Sequence, residues 1–258
     1  MKLYFGYLSM LMKSQLQHKA SFIMTAIGQF LVSFTTFLGV YFMFTRFHTV
    51  DGFTLQEVMI CFSVVLLAFS LTECFVRGFD VFPRLIKTGD LDRILVRPRG
   101  VMFQVLTSNV DFTRVGRLLQ AVLMLSLAMP SCGVTWSFDK VLTLVLMIAG
   151  GIAVYTGLFI LYAGISFFTI EGLEFMNIFT DGSREFGKYP LAIYGESVLK
   201  LLTWVVPIAA FQYYPFLYLI GRTDNWLYML LPLAGGLFIL PCYAFFQFGL
   251  RKYKSTGS

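Results

Sequence analysis

Few side chains in this sequence can do chemistry, and their spacing limits what that chemistry is. His18 and His48 are its only histidines. No H-E-x-x-H or G-x-S-x-G pattern occurs, so metalloprotease and serine-hydrolase chemistry have no foothold. The four cysteines, Cys61, Cys74, Cys132 and Cys242, are far apart in or beside apolar runs, which reads as buried small hydrophobes rather than disulfides or a zinc site. Gly182-x-x-x-x-Gly187-Lys188 matches the start of a phosphate-binding loop. Tyr189 stands where the motif needs Ser or Thr, and no strand is expected before it, so the match reads as chance. Three sets of charges remain at helical spacing: Glu73 with Arg77, Asp111 with Arg114 and then Arg117, and Glu196 with Lys200. Each can pair along its own helix.

The elements that must position these groups are apolar. Of 258 residues, 57% are hydrophobic and 13% are charged, whereas soluble domains carry about a quarter charged residues. A soluble core of this size cannot hide so much apolar side chain. The fold class expected is therefore all-α, a polytopic membrane protein. A crossing helix takes about 20 apolar residues, so the length has room for about six. The apolar stretches fall at about 21–45, 57–76, within 101–131 (clearest from Leu118), 140–169, 191–211 and 226–248. Before them, residues 1–20 alternate a polar stripe (Lys2, Gly6, Ser9, Lys13, Gln17) with Phe5, Leu8, Met12 and Leu16. That pattern predicts an amphipathic helix lying on a membrane surface or a partner. No cleavable targeting signal is expected, because the first long apolar run is too long for one.

The connections differ in kind. Residues 46–56, with an Asp51-Gly52 turn signal, and 130–139 are short, whereas 77–100 and 170–190 are longer and polar. Residues 212–225 are aromatic but interrupted by Pro215 and Gly221, which predicts a re-entrant or interfacial segment. All but three of the 20 Lys and Arg lie outside the 46–56, 130–140 and 212–225 segments, the three being Arg46, Lys140 and Arg222. The positive-inside rule then puts both termini, 77–100 and 170–190 in the cytoplasm, with 21–250 as the membrane domain and 251–258 as a tail. On this layout the three charge sets sit near the cytoplasmic ends of their spans. Structural pairing or snorkelling accounts for them, with transmission of motion as the alternative. The lack of other deep charges argues against a proton- or sodium-coupled carrier. Ala149, Ala153, Gly157 and Gly164 form a row of small residues suited to close helix contact. The net charge of +6 is explained by cytoplasmic loops, so no nucleic acid is expected as a partner.

One polar segment carries more information. In 83–99, Gly89 ends a helix, Asp90 suits an N-cap, and Leu91, Ile94 and Leu95 share a face. Asp92 in the first turn and Arg97 near the end complement the helix dipole, and Pro98 halts the helix. A short capped helix with an apolar face is predicted there, packed either on its own bundle or on a partner.

Gly89-Asp90-Leu91-Asp92-x-x-Leu95-x-Arg97-Pro98 resembles the G-D-L-D-x-x-L-x-R/K-P signature of permease subunits of bacterial type-2 ABC exporters. Lys200-Leu201-Leu202-Thr203-Trp204-Val205-Val206-Pro207 … Tyr214-Pro215 … Gly221 is similar to that family's fifth-span region, and the order of elements matches over nearly the whole chain. The resemblance implies six spans in the bacterial inner membrane, a connecting helix over 1–20 and a coupling helix within 83–99 that docks on a separate ATPase. It also implies a second permease, a copy or a paralogue, completing the pathway in the lipid bilayer. ATP and Mg would be bound by the partner ATPase, with no cofactor or metal in this chain and no catalytic residue of its own. An apolar, aromatic path suits an amphipathic or hydrophobic substrate. A stand-alone secondary transporter and a non-transporting membrane enzyme or scaffold are the other readings, separable by whether an ATPase co-purifies.

Overall fold

A computed structural model describes residues 2–169 and 173–254. The first part of the 170–190 segment and the last four residues of the predicted tail lie outside the described residues. The surface helix forms as α1 (Lys2–Gln17) and turns at His18 into α2 (Lys19–Phe47). The Asp51-Gly52 turn has positive φ at both residues and is closed by paired Val50 and Phe53 backbone bonds, the hairpin geometry this dipeptide favours. Then α3 (Leu55–Asp80) starts on a Thr54–Glu57 capping box. The helices α4 (Phe82–Lys87), α5 (Asp90–Leu95) and α6 (Val101–Ser108) follow, before a single 3-10 turn (Phe112–Arg114) leads into α7 (Val115–Ser131). The long α8 (Phe138–Ile165) returns.

Among the described residues, five stretches are long and apolar enough to cross a membrane: Lys19–Phe47, Leu55–Lys87, Phe112–Ser131, Phe138–Ile165 and Leu227–Lys252. They correspond to predicted spans one, two, three, four and six. The last is α13 (Leu227–Gly236) followed by α14 (Ile239–Lys252), broken where Gly235, Gly236 and Pro241 interrupt the backbone ladder. The region read as span five is segmented. It comprises a 3-10 turn (Leu191–Tyr194), α10 (Glu196–Trp204), α11 (Ile208–Gln212) and α12 (Tyr214–Leu219). Gly195, at φ 88, and Pro207 set the breaks, because the first takes a backbone conformation that glycine alone adopts readily and the second removes a ladder donor.

The core gathers on α3 and α8. Their middles interlock through Phe69, Tyr155 and Phe159, with Tyr155 against Phe211 of α11. Of the predicted small-residue row, Ala153, Gly157 and Gly164 are used inside the chain, joined by Gly150, while Ala149 stays exposed. A side chain at Gly150 would meet Pro232, one at Gly157 would meet Phe238, and one at Gly164 would meet Phe245, so α13 and α14 pack directly on α8. By contrast α2 lies on the outside.

Candidate functional site

The segment 83–99 forms as a step between α3 and α6. Helix α4 ends at Thr88, Gly89 adopts φ 73, and α5 begins at Asp90. Gly89 rather than Asp90 therefore occupies the N-cap, since only a left-handed residue turns α4 into α5 this sharply. The Asp90 carboxylate instead accepts the Thr88 hydroxyl at 2.7 Å and faces Arg93 at 3.4 Å. The Thr88 hydrogen bond, ahead of Arg93, holds this carboxyl below its ordinary range. Asp92 borders the hydroxyl of Tyr253, just past α14, and burial together with that carboxylate pushes the phenol up.

The apolar side chains of α5 split into two sets. Leu91 is fully buried and Ile94 nearly so, in a core shared with Phe82, Ile86 and Phe246. Leu95 is 40% exposed and Val96 83% exposed. The predicted common face of Leu91, Ile94 and Leu95 is thus divided, because a six-residue helix pressed on the bundle buries one edge and presents the other. Arg97 and Pro98 continue the exposed tip. Gln104 of α6 secures the end of α5 by donating to the carbonyls of Ile94 (3.0 Å) and Arg99 (2.8 Å). Gln104 and Val96 escape sequence reading, the first because its partners are backbone atoms. The apolar run Ile94-Leu95-Val96 ending directly at Arg97-Pro98 was the available signal for the second. A cavity of about 300 Å³ opens beside the segment between Tyr7, Ile94, Arg97, Arg99, Phe103 and Gln104. Helix α1 crosses here, with Gln15 bonded to the backbone of Val110 and Phe112.

About a turn or two inside this end, two of the predicted charge sets merge into one network. Glu73 accepts Arg77 at 3.1 Å, lies 3.6 Å from Arg114, and binds Arg117 closely. Asp111 pairs with Arg114 at 3.1 Å and with Arg77 at 3.7 Å. Arg117 Nε donates to Gln29 of α2 at 2.6 Å. One buried carboxylate thereby joins α3 to α7, and Arg117 extends the link to α2. Glu196 and Lys200 pair at 2.7 Å on an open surface, apart from this network.

The 170–190 segment departs most from expectation. Its described part does not sit as an outer loop. It runs through a 3-10 turn (Leu173–Ile178) into α9 (Asp181–Phe186) and folds inward along α3. The Arg184 guanidinium lies 4.8 Å from the centre of the Phe69 ring, and the Lys188 ammonium 5.5 Å from that of Phe62. Both rings belong to the middle part of α3, so these cations extend the charged region inward from Arg117. The entry is possible because the charges cancel locally: Arg184 meets Asp181 at 3.3 Å and Glu185 at 3.1 Å, while Lys188 binds Glu185 closely. Gln212 of α11 holds the segment by donating to the carbonyls of Gly187 (3.2 Å) and Tyr189 (2.9 Å). Gly182 sits inside α9, so the phosphate-loop geometry is not formed. The sequence signal for this burial was the acid–base spacing of three within 181–188.

Arg117, Arg184, Lys188 and Glu185 together line a small cavity of about 40 Å³, bordered on the α2 side by Val32, Ser33 and Thr36. No group of His, Cys, Asp and Glu among the described residues is arranged to hold a metal ion.

A family model described as ABC-2 family transporter protein matches residues 30–257. No curated protein and no solved structure matches the chain.

Proposed function

Because the chain belongs to the ABC-2 family of transporter proteins, we propose that it is the permease of an ATP-driven exporter whose engine is a separate ATPase. The chain is a membrane component of transport and is not itself catalytic; membrane subunits of this family generally partner with an ATPase. The finer reading concerns how motion enters. The observation that carries it is the exposed Leu95–Val96 tip on a helix whose other edge is locked into the core. A groove in the ATPase would cover that tip, with Arg97 and Pro98 beside it and Asp90 and Arg93 at its rim.

Rigid seating makes the tip a lever. Displacement of α5 passes through Leu91 and Ile94 to the core, through α4 to α3, and through the Gln104 bonds to α6. Phe82 carries it further to Phe246 of α14, ring centres 5.3 Å apart. The Glu73 network then ties α3 to α7, whose Arg117 reaches Gln29 of α2. The end bearing α5 faces the cytoplasm of a bacterial inner membrane, with both termini on that side. ATP and Mg are held by the partner. Two permeases pair to form the path, which the outward α2 supports: only 11% of its most apolar stretch is buried. The cargo is an amphipathic or hydrophobic molecule.

The test is co-purification from cells expressing the chain with its neighbouring ATPase. Burying an apolar side chain is worth about 2 kcal/mol, so Val96→Asp should weaken ATPase retention by about tenfold or more without lowering the permease's melting temperature. Unchanged retention together with unchanged transport would refute the docking assignment.

A further inference from the structure

Resting on the exporter reading and deepening it, we propose that the cavity bounded by Arg117, Arg184 and Lys188 receives the phosphate or carboxylate head of an amphiphile whose tail lies along α2. The walls hold three cations and one carboxylate, Glu185. Each wall cation has a carboxylate partner, but of those partners only Glu185 faces the cavity itself. Glu185 is shared by Arg184 and Lys188, and Glu73, outside the cavity, is shared by Arg77, Arg114 and Arg117. Asp181, the other partner of Arg184, is 56% exposed at its side chain, whereas Lys188 is 6% exposed. Away from bulk water, a cavity faced by three cations and one carboxylate attracts an anion. Phosphate and carboxylate groups are the partners guanidinium and ammonium bind with short, charge-assisted hydrogen bonds.

Size agrees. A polar cavity of about 40 Å³ holds roughly three waters at 10–15 Å³ each, which is the room needed by a headgroup and not by a whole drug-sized molecule. The rest of the ligand must therefore lie outside. The side on which it can do so is α2. Val32, which lines the cavity, is 66% exposed, and Leu31 and Phe34 beside it are open as well. Thr36 and Ser33 mark the opening, so a charged head enters past hydroxyls while an acyl or alkyl chain stays on the apolar outer surface of α2. A free inorganic anion would gain nothing from that surface. The Phe62 and Leu66 walls close the inner side.

The test uses the full chain purified alone in neutral detergent, without its ATPase. Its melting temperature is followed against decyl phosphate, phosphatidylglycerol, phosphatidylcholine and inorganic phosphate. Decyl phosphate, phosphatidylglycerol or both should raise the midpoint saturably, and phosphatidylcholine should not. Saturation by phosphatidylglycerol alone identifies a resident lipid, and by decyl phosphate alone a mobile amphiphile. Lys188→Gln should raise the half-saturating concentration by about tenfold, the loss of one charged hydrogen bond. Thr36→Leu, on the open side of the cavity, should do so without removing any charge, and it serves where Lys188→Gln does not fold. An equal response to phosphatidylcholine would overturn the proposal. So would inorganic phosphate saturating at the same concentration as decyl phosphate, or variants that fold and saturate like the parent. None of these results bears on ATPase docking, so failure here leaves the exporter reading standing.

Discussion

Two clusters of charge lie near the same end of the bundle, and the fold uses them in opposite ways. Around Asp90 and Arg93 the side chains are 45% and 77% exposed and the pair is loose, at 3.4 Å. Around Glu73 the carboxylate is 9% exposed and serves three guanidiniums. The exposed pair decorates a surface whose apolar tip awaits a partner. The buried one welds three helices that the partner would move. Charge near a membrane end thus has two meanings, and burial distinguishes them: exposed pairs contribute little to stability, while a buried network fails badly when one member is removed.

The largest expected effect is in the buried cluster. Glu73→Gln leaves Arg114 and Arg117 confined without their shared acid and should destabilise the chain by about 3–5 kcal/mol, seen as a sharp fall in melting temperature or loss of folded protein. A melting temperature unchanged by this substitution would erase the distinction between the clusters. Next comes the joint between them. Gly78 of α3 faces the backbone carbonyl of Val105 in α6, leaving no room for a Cβ. Gly78→Ala should cost about 1–3 kcal/mol and, by prising α6 away, reduce ATP-dependent transport more than ATPase retention. A smaller effect is expected from pH. The Thr88 hydroxyl holds the Asp90 carboxyl below its ordinary 3.8, so its stabilisation of α5 is complete above about pH 4 and is lost as pH falls through the lowered value. Amide-exchange protection in α5 should then decline at acid pH in the parent and stay flat in Asp90→Asn. The smallest effect belongs to Glu196→Gln, an exposed pair that should change stability by no more than about 0.5 kcal/mol and leave transport intact.

Much of this architecture was readable from residue order. Long apolar runs gave α2, α3, α7, α8 and the α13–α14 pair, because length and hydropathy decide what can cross a bilayer. Gly89 marked the start of α5 through local backbone geometry, whereas α5 ends at Leu95, short of Arg97 and Pro98. Hydropathy alone did not say which helix is inside: α2 and α3 have mean hydropathy 1.7 and 2.2, yet 11% and 83% of those stretches are buried. In a bilayer, lipid and protein both accept an apolar face. The segmentation of 191–219 was masked for the same reason, as averaging over Gly195 and Pro207 leaves an apolar run. The inward path of Arg184 and Lys188 was hidden because charge ordinarily marks an outer loop. Here Asp181 and Glu185 neutralise it locally, and Gly187 lets the chain approach Val65.

The central claim is that the tip of α5 meets an ATPase on the cytoplasmic side. Val96→Cys tests it directly, with a membrane-impermeant maleimide applied to sealed vesicles; Cys61, Cys74 and Cys242 are buried, and Cys132→Ser removes the remaining thiol. Inside-out vesicles stripped of ATPase should label strongly at residue 96, and adding the ATPase back should suppress that labelling. Labelling only in right-side-out vesicles, or labelling indifferent to the ATPase, would contradict the account.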